Sequence, residues 1–326
     1  MKRFLITGIT GFAGPHLANL LVKEGHHVSG LIRRTNGMES DILDTVPQDI
    51  FDSIKFLKGD LTNYQSLDKL FKENSFDGIF HLAAQSHPPT SFDDPIGTFD
   101  TNIIGSANLI EAVINNQAKC KFMFCSTSEV YGNVGVDGRK IHWEDFLMPS
   151  NPYGASKAAT DLYLQERFAN KFIKGFITRA FSHTGPRRGK NFSISSDAYQ
   201  IAKMKLGLQD RNLLVGNLST TRVVMDVRDT VYAYYLAMIN PKVENQIFNV
   251  CGDTPREMEY FTDKLIEISG LKEVVKKKHD PFWRPHEIYY QHGDSTNLVE
   301  TTGFKESYSI ETTLSDLLDY WIKKLS

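Results

Sequence analysis

Short apolar runs alternate with longer amphipathic segments through the first half of this 326-residue chain. The runs RFLIT (3–7), HVSGLI (27–32), IKFLKG (54–59), GIFHLA (78–83) and KFMFCS (121–126) have the length and composition of buried strands. Segments such as 14–24 and 97–116 instead place apolar residues at helical spacing. Leu17, Leu20 and Leu21 mark the first, and Leu109, Ile110, Ala112 and Val113 the second. A helix over about 151–170 and a strand GFITRAF (175–181) continue the rhythm. Such alternation predicts right-handed βαβ units and an α/β fold built on a doubly wound parallel sheet.

After residue 182 the rhythm loosens. SHTGPRRGKNFS reads as a loop because proline, glycine and charged residues crowd into it. Helices are expected near 194–208, 229–239, 256–269 and 309–324, with short strands near 213–215 and 247–250. The organisation expected is a dinucleotide-binding domain over 1–181, to which about 222–250 returns, and a smaller substrate lobe over 182–326. VVKKKHD (274–280) reads as a solvated edge. Composition leaves this picture unchanged and narrows its uses: 41% apolar, 23% charged and a net charge of −2. Near-neutral charge removes the electrostatic case for nucleic acid or a membrane surface, and no apolar run is long enough to span a bilayer. Cys120, Cys125 and Cys251 have no metal or disulfide spacing, and the gaps among His279, His286 and His292 match no ligand pattern. The expected location is the cytoplasm, with no metal.

The first chemical signal follows the first strand. FLITGITGFAG sets Gly8, Gly11 and Gly14 between a strand and a helix, with Thr10, Phe12 and Ala13 in the same loop. Glycines there let the backbone turn and approach a pyrophosphate, which the free N–H groups of a helix N-terminus hold. This predicts a Rossmann-type dinucleotide site. The second strand ends in GLIRRTNG, with Arg33 and Arg34 where a carboxylate would hold the ribose of NAD. Paired guanidiniums suit a 2′-phosphate, so the expected cofactor is NADP. Asp60, followed by Leu61, ends the third strand and could accept from the adenine amine. Leu82, Ala83 and Ala84 end the fourth and leave room for a ring and a ribose.

At the reacting end, NPYGASK puts Tyr153 and Lys157 four apart on one helix face. An ammonium beside a phenol favours the phenolate, and such a tyrosine can take a proton from a sugar hydroxyl. CSTSEVYG (125–132) adds Thr127 and Glu129 at the end of the fifth strand. Strand alternation would point both into one cleft.

These motifs together (TGITGFAG, GDLTN, HLAAQS, STSEVYG, NPYGASK and MDVRDTV) resemble the extended short-chain dehydrogenase/reductase family over nearly the whole chain. The resemblance implies a nucleotide-sugar enzyme with Thr127, Tyr153 and Lys157 as its catalytic Ser/Thr, Tyr and Lys. Glu129 then has a role: once C4 of a hexose is a ketone, the C5 proton is acidic, and a carboxylate can remove it so that the C6 hydroxyl leaves. Ser128 could help protonate that leaving hydroxyl. The dTDP-glucose dehydratases carry an aspartate where Ser128 stands, whereas UDP-glucuronate decarboxylases are near-identical over STSEVYG and some 4-keto-sugar reductases carry an acidic residue nearby. GPRRG, KMKLGLQD, VGNL and WRPHEIYYQHGD resemble the GDP-mannose 4,6-dehydratases and their reductase relatives. That likeness puts His183 and Arg188 near the cofactor and 194–217 around guanine. It places Arg222 and Arg284 on the diphosphate, Glu287 on ribose hydroxyls and Ser86 on the hexose. It also implies a homodimer packed through helices across a two-fold axis, or a homotetramer paired through the Arg33–Arg34 loop.

Several segments depart from that branch: Ser182 in FSH, the Pro88–Pro89 pair, Gly97, TNIIGS and a lengthened loop from Gly132 to Tyr153. All fall near the expected hexose. The reading is therefore an NADP-dependent GDP-sugar 4,6-dehydratase, with GDP-mannose, GDP-N-acetylglucosamine and a GDP-heptose open as substrates. The alternative is an NADPH-dependent reductase of a GDP-4-keto-6-deoxy sugar.

Overall fold

The computed structural model describes residues 1–33, 38–279 and 286–326. Among them, seven strands form one parallel sheet: β1 (Arg3–Thr7), β2 (His27–Ile32), β3 (Lys55–Lys58), β4 (Gly78–His81), β5 (Lys121–Thr127), β6 (Lys174–Ala180) and β7 (Gln246–Val250). Their spatial order is β7-β6-β5-β4-β1-β2-β3, with every pairing parallel. The chain winds one way from β1 to β3 and the other way from β4 to β7. The switch lies between β1 and β4, and there the loops beyond the strand ends part to leave a crevice.

Alternation along each strand feeds two apolar layers. Phe4, Ile6, Phe80 and Phe248 pack on one face with Leu17 and Leu21 of α1 (Ala13–Lys23) and with Tyr234 and Met238 of the helix Val227–Ile239. Leu5, Ile79, Phe122 and Phe124 pack on the other face with Leu109, Val113 and Leu164. The helix Val227–Ile239 and strand β7 thus belong to the main sheet, although they follow much of the smaller lobe in sequence.

One expected helix is interrupted. The segment 97–116 is a short helix Pro95–Phe99, a π-turn Asp100–Ile104 and a helix Gly105–Gln117. The π-turn carries buried Asn102, whose side chain accepts from Gln85 N (2.8 Å) and donates to Gln85 O (3.0 Å) and Ser156 Oγ (2.9 Å). The irregular turn thereby fastens the loop after β4 to the helix Pro152–Ala169.

In the smaller lobe, the helices Ser193–Lys205, Met258–Ser269 and Ile310–Leu325 enclose a third cluster that includes Ile201, Leu265, Leu317 and Trp321. The lysine-rich run is the solvated edge expected of it: Val275, Lys277 and Lys278 are exposed in the strand Val275–Lys278, which runs parallel to Asn212–Val215, and Lys276 pairs with Glu259 (2.6 Å) and Asp263 (2.7 Å). Among the described residues no helix is long and apolar enough to cross a membrane.

Candidate active site

Only glycine fits two positions of the loop after β1. Gly8 has φ +74°, and a β-carbon there would stand 2.8 Å from Ala83 N. A β-carbon on Gly14 would stand 2.6 Å from Ile9 Cα, so α1 presses directly on the loop that precedes it. Thr7 Oγ1 accepts from Ala83 N (3.1 Å) and meets Nδ1 of buried His81 (2.7 Å), which ties the ends of β1 and β4 together. The result is a concave cradle at a helix N-terminus, shaped for a pyrophosphate. Gly8→Ala is expected to weaken dinucleotide binding by at least roughly tenfold, because strain of about 1–3 kcal/mol adds to the clash. Unchanged affinity in a fluorescence titration would contradict this.

The reacting groups converge where β5 ends. The strand stops at Thr127 and Ser128–Tyr131 coil into a 3-10 turn. Thr127 and Glu129 therefore share the cleft through that turn, and strand alternation is not the cause. Thr127 Oγ1 accepts from Glu129 N (3.3 Å) and bonds the Tyr153 phenol. Asn151 caps the helix Pro152–Ala169, accepting from Gly154 N (2.7 Å) through Oδ1 while its Nδ2 donates to Glu129 Oε2 (2.6 Å). One side chain both starts the helix that carries Tyr153 and Lys157 and fixes the carboxylate beside them.

Burial pushes the Tyr153 phenol up, and the nearby Cys125 thiol and Glu129 act in the same direction. The Thr127 hydroxyl and the Arg188 cation favour the phenolate. Lys157 is buried with its Nζ 4.1 Å from the centroid of the Phe124 ring, and burial pulls it down to about 8. Arg188 lies over Phe12 (4.7 Å) and Phe192 (3.5 Å), and His183 stacks on Phe12 at 5.7 Å. Burial lowers His183 to about 4, so its ring is neutral in the ordinary range.

A continuous cleft of about 1220 Å³ joins these parts. A single small-ligand site spans roughly 300–1,000 Å³, so this cleft has room for two ligands end to end. Gly8, Gly11, Phe12, Ala13 and Gly14 line it, as do Leu82, Ala83 and Ala84. Thr127, Ser128, Glu129, Tyr153 and Lys157 form its middle, beside Ser86, His183 and Arg188. Arg222 and Glu287 border it as well. Arg222 donates to Thr221 O (2.8 Å) and Ile288 O (2.6 Å), which steadies a nearly buried guanidinium. Thr10, Arg33, Asp60 and Leu61 stand outside this lining. Asp60 accepts from Thr62 N (3.0 Å) and Thr62 Oγ1 (2.9 Å), and Arg33 is exposed. Arg34 and Arg284 lie outside the described residues.

A family model described as GDP-mannose 4,6 dehydratase matches residues 5–317. The chain belongs to that family. It is 30% identical to the GDP-6-deoxy-D-mannose reductase of Pseudomonas aeruginosa, covering 98% of this chain and 97% of that one. It is 29% identical to GDP-mannose 4,6 dehydratase 1 of Arabidopsis thaliana, covering 98% and 89%. Among solved structures, the RMD protein of P. aeruginosa complexed with NADPH superposes with a TM-score of 0.83 at 28% identity, covering 99% of this chain and all of that one. The fold and the glycine cradle of this GDP-mannose dehydratase family member make a nicotinamide dinucleotide its cofactor class.

Two residues of this family member escaped the sequence reading. Asn151 before Pro152 has the local signature of a helix cap, a signal that could have found it, but its bond to Glu129 crosses 22 residues. Arg187 has φ +75° and donates to Thr10 O (3.0 Å), Gly11 O (2.9 Å) and Asp41 O (2.5 Å), and it pairs with Asp44. Asp44 also accepts from Tyr320 OH (2.8 Å) and Lys324 Nζ (2.9 Å) of the last helix. The guanidinium draws the loop's carbonyl oxygens to itself, away from any bound pyrophosphate. Arg187→Gln is expected to raise the dinucleotide Kd about tenfold, within the usual worth of charged hydrogen bonds. Calorimetry finding an unaltered Kd would show that the loop holds its shape alone.

Proposed function

We propose that this chain is an NADP-dependent GDP-sugar 4,6-dehydratase, converting a GDP-hexose to its GDP-4-keto-6-deoxy product. Glu129 carries the reading. It borders the cleft beside Thr127 and Tyr153, and Asn151 holds one of its oxygens at 2.6 Å. A reductase of a ketone needs a proton donor at the carbonyl oxygen, here Tyr153, and its chemistry has no step for a carboxylate at the adjacent carbon. When bound, NADP supplies the two-electron chemistry, oxidising the sugar at C4 and later reducing it at C6.

The chain's own groups do the rest. Thr127 holds O4, and Tyr153 takes its proton with help from the Thr127 hydroxyl and the Arg188 charge. Lys157 keeps positive charge one helical turn beyond the phenol. Glu129 removes the C5 proton and hands it to the C6 hydroxyl, which departs as water. Solvent then restores the proton that Glu129 returns to C5, and Tyr153 releases to solvent the one it took from O4. Ser128 lies between these groups in sequence, its hydroxyl donating to Gln291 Oε1 (3.2 Å). Arg222 and Arg284 bind the diphosphate, Glu287 the ribose hydroxyls and Ser86 the hexose. Arg33 and Arg34 receive the 2′-phosphate that distinguishes NADP. Exposed Ile96, Ile104 and Leu162, on the helix Pro95–Phe99, the π-turn that follows it and the helix Pro152–Ala169, support a two-fold dimer interface.

The second reading, a GDP-4-keto-6-deoxy-sugar reductase, is favoured by the 30% relative that bears that activity in its name. Turnover in D₂O separates the two. The dehydratase incorporates solvent deuterium at C5 with no added reductant, whereas the reductase consumes NADPH mole for mole and leaves C5 unlabelled.

A further inference from the structure

The cleft ends in the smaller lobe at a carboxyl group that the chemistry above does not use. Asp197, in the helix Ser193–Lys205, is 3% exposed and still lines the cleft. Thr262 Oγ1 donates to its Oδ2 (2.7 Å). No ion pair within the described residues reaches it, and Oδ1 has no protein donor there. The cation that acts on it, Lys276, is committed to Glu259 and Asp263. Burial raises the Asp197 carboxyl to about 7. A carboxylate in such a place costs free energy unless a further N–H donor reaches it.

Two of its polar neighbours in the cleft already have protein partners. Gln200 exchanges both amide bonds with Leu214, accepting from N (2.9 Å) and donating to O (2.9 Å). Asp210, another carboxylate of this end, accepts from Asn212 N (3.0 Å) and Nδ2 (2.7 Å). Met258 gives an apolar wall.

We propose that Asp197 reads the nucleobase, its cleft-facing oxygen accepting from the adjacent N1–H and 2-amino donors of guanine. The inference rests on the GDP-sugar reading and adds the residue that enforces it. Uracil and thymine offer one N–H flanked by two carbonyl oxygens, which would crowd a carboxylate. Adenine offers an amine beside an acceptor nitrogen. Hypoxanthine keeps N1–H and lacks the 2-amino group, so it isolates the contact.

Calorimetric titrations of the NADP-loaded full chain with GDP, IDP, UDP and dTDP test this. Wild type is expected to bind GDP about tenfold more tightly than IDP, and Asp197→Asn to lose roughly 10- to 100-fold in GDP affinity, the range for a hydrogen bond to a charged group. The GDP-to-IDP ratio should fall toward one in that variant. Asp197→Leu, which removes the buried charge, serves as a second variant should the amide fail to fold. A wild type that prefers GDP to UDP and dTDP, with a GDP-to-IDP ratio that is near one or survives both substitutions, overturns this role and leaves the GDP-sugar reading standing. A wild type that prefers UDP or dTDP overturns both.

Discussion

Glu129→Gln is expected to slow water loss from the sugar by roughly 10²–10⁴-fold, the usual contribution of a positioned acid or base. The substitution is close to isosteric, and an amide oxygen can still accept from Asn151 Nδ2, which now lies 2.6 Å from the carboxylate. Substrate affinity should therefore change little. The loss falls on the C5 proton: product formed by wild type in D₂O carries deuterium at C5, and substrate recovered from the variant does not. Dehydration at an unaltered rate would remove Glu129 from the mechanism.

The second large effect is on stability. Asp161 and Arg179 are both buried, and they meet bidentately at 2.9 Å (Nε to Oδ2) and 3.0 Å (NH2 to Oδ1). Arg179 also donates to Tyr131 OH (2.9 Å) and Trp143 O (2.6 Å). Asp161 lies two turns beyond Tyr153 on the same helix, so the pair pins that helix to β6. Asp161→Ala leaves a buried guanidinium without its counter-charge and is expected to cost about 3–5 kcal/mol. Urea unfolding measures it. A loss below about 1 kcal/mol, the level of an exposed pair, would contradict the account. Replacing both partners by apolar residues of similar volume should restore much of the stability, since neither charge is then stranded.

Local signals were legible where they depended on neighbours in sequence. The strands of the main sheet and most helices lie within a few residues of the spans that hydrophobic spacing suggests. The glycine cradle was equally plain, and so was the placing of Tyr153 and Lys157 in one cleft. The expected lowering of the phenol by Lys157 is not seen: burial raises it, and Thr127 and Arg188 are the groups that favour the phenolate. What hid were bonds that cross the chain. Nothing local marks Asn102 as the reason for a π-turn, since its partners Gln85 and Ser156 come from two other segments. Arg187 looks like one of two loop arginines until the fold brings it against Thr10 and Gly11. Asp197 sits in a helix whose spacing would suit an apolar side chain, and only the packed lobe reveals its burial and its place in the cleft. The Lys157 ammonium lies over Phe124, a contact that helical spacing alone does not suggest.

The most direct measurement is mass spectrometry of GDP-mannose and GDP-N-acetylglucosamine, each incubated separately with purified NADP-loaded protein and no reductant. The account predicts that one of the two loses the mass of a single water and names the sugar by doing so. If both return unchanged, while a GDP-4-keto-6-deoxy sugar gains two hydrogens on addition of NADPH, the chain is a reductase and the role given to Glu129 is wrong.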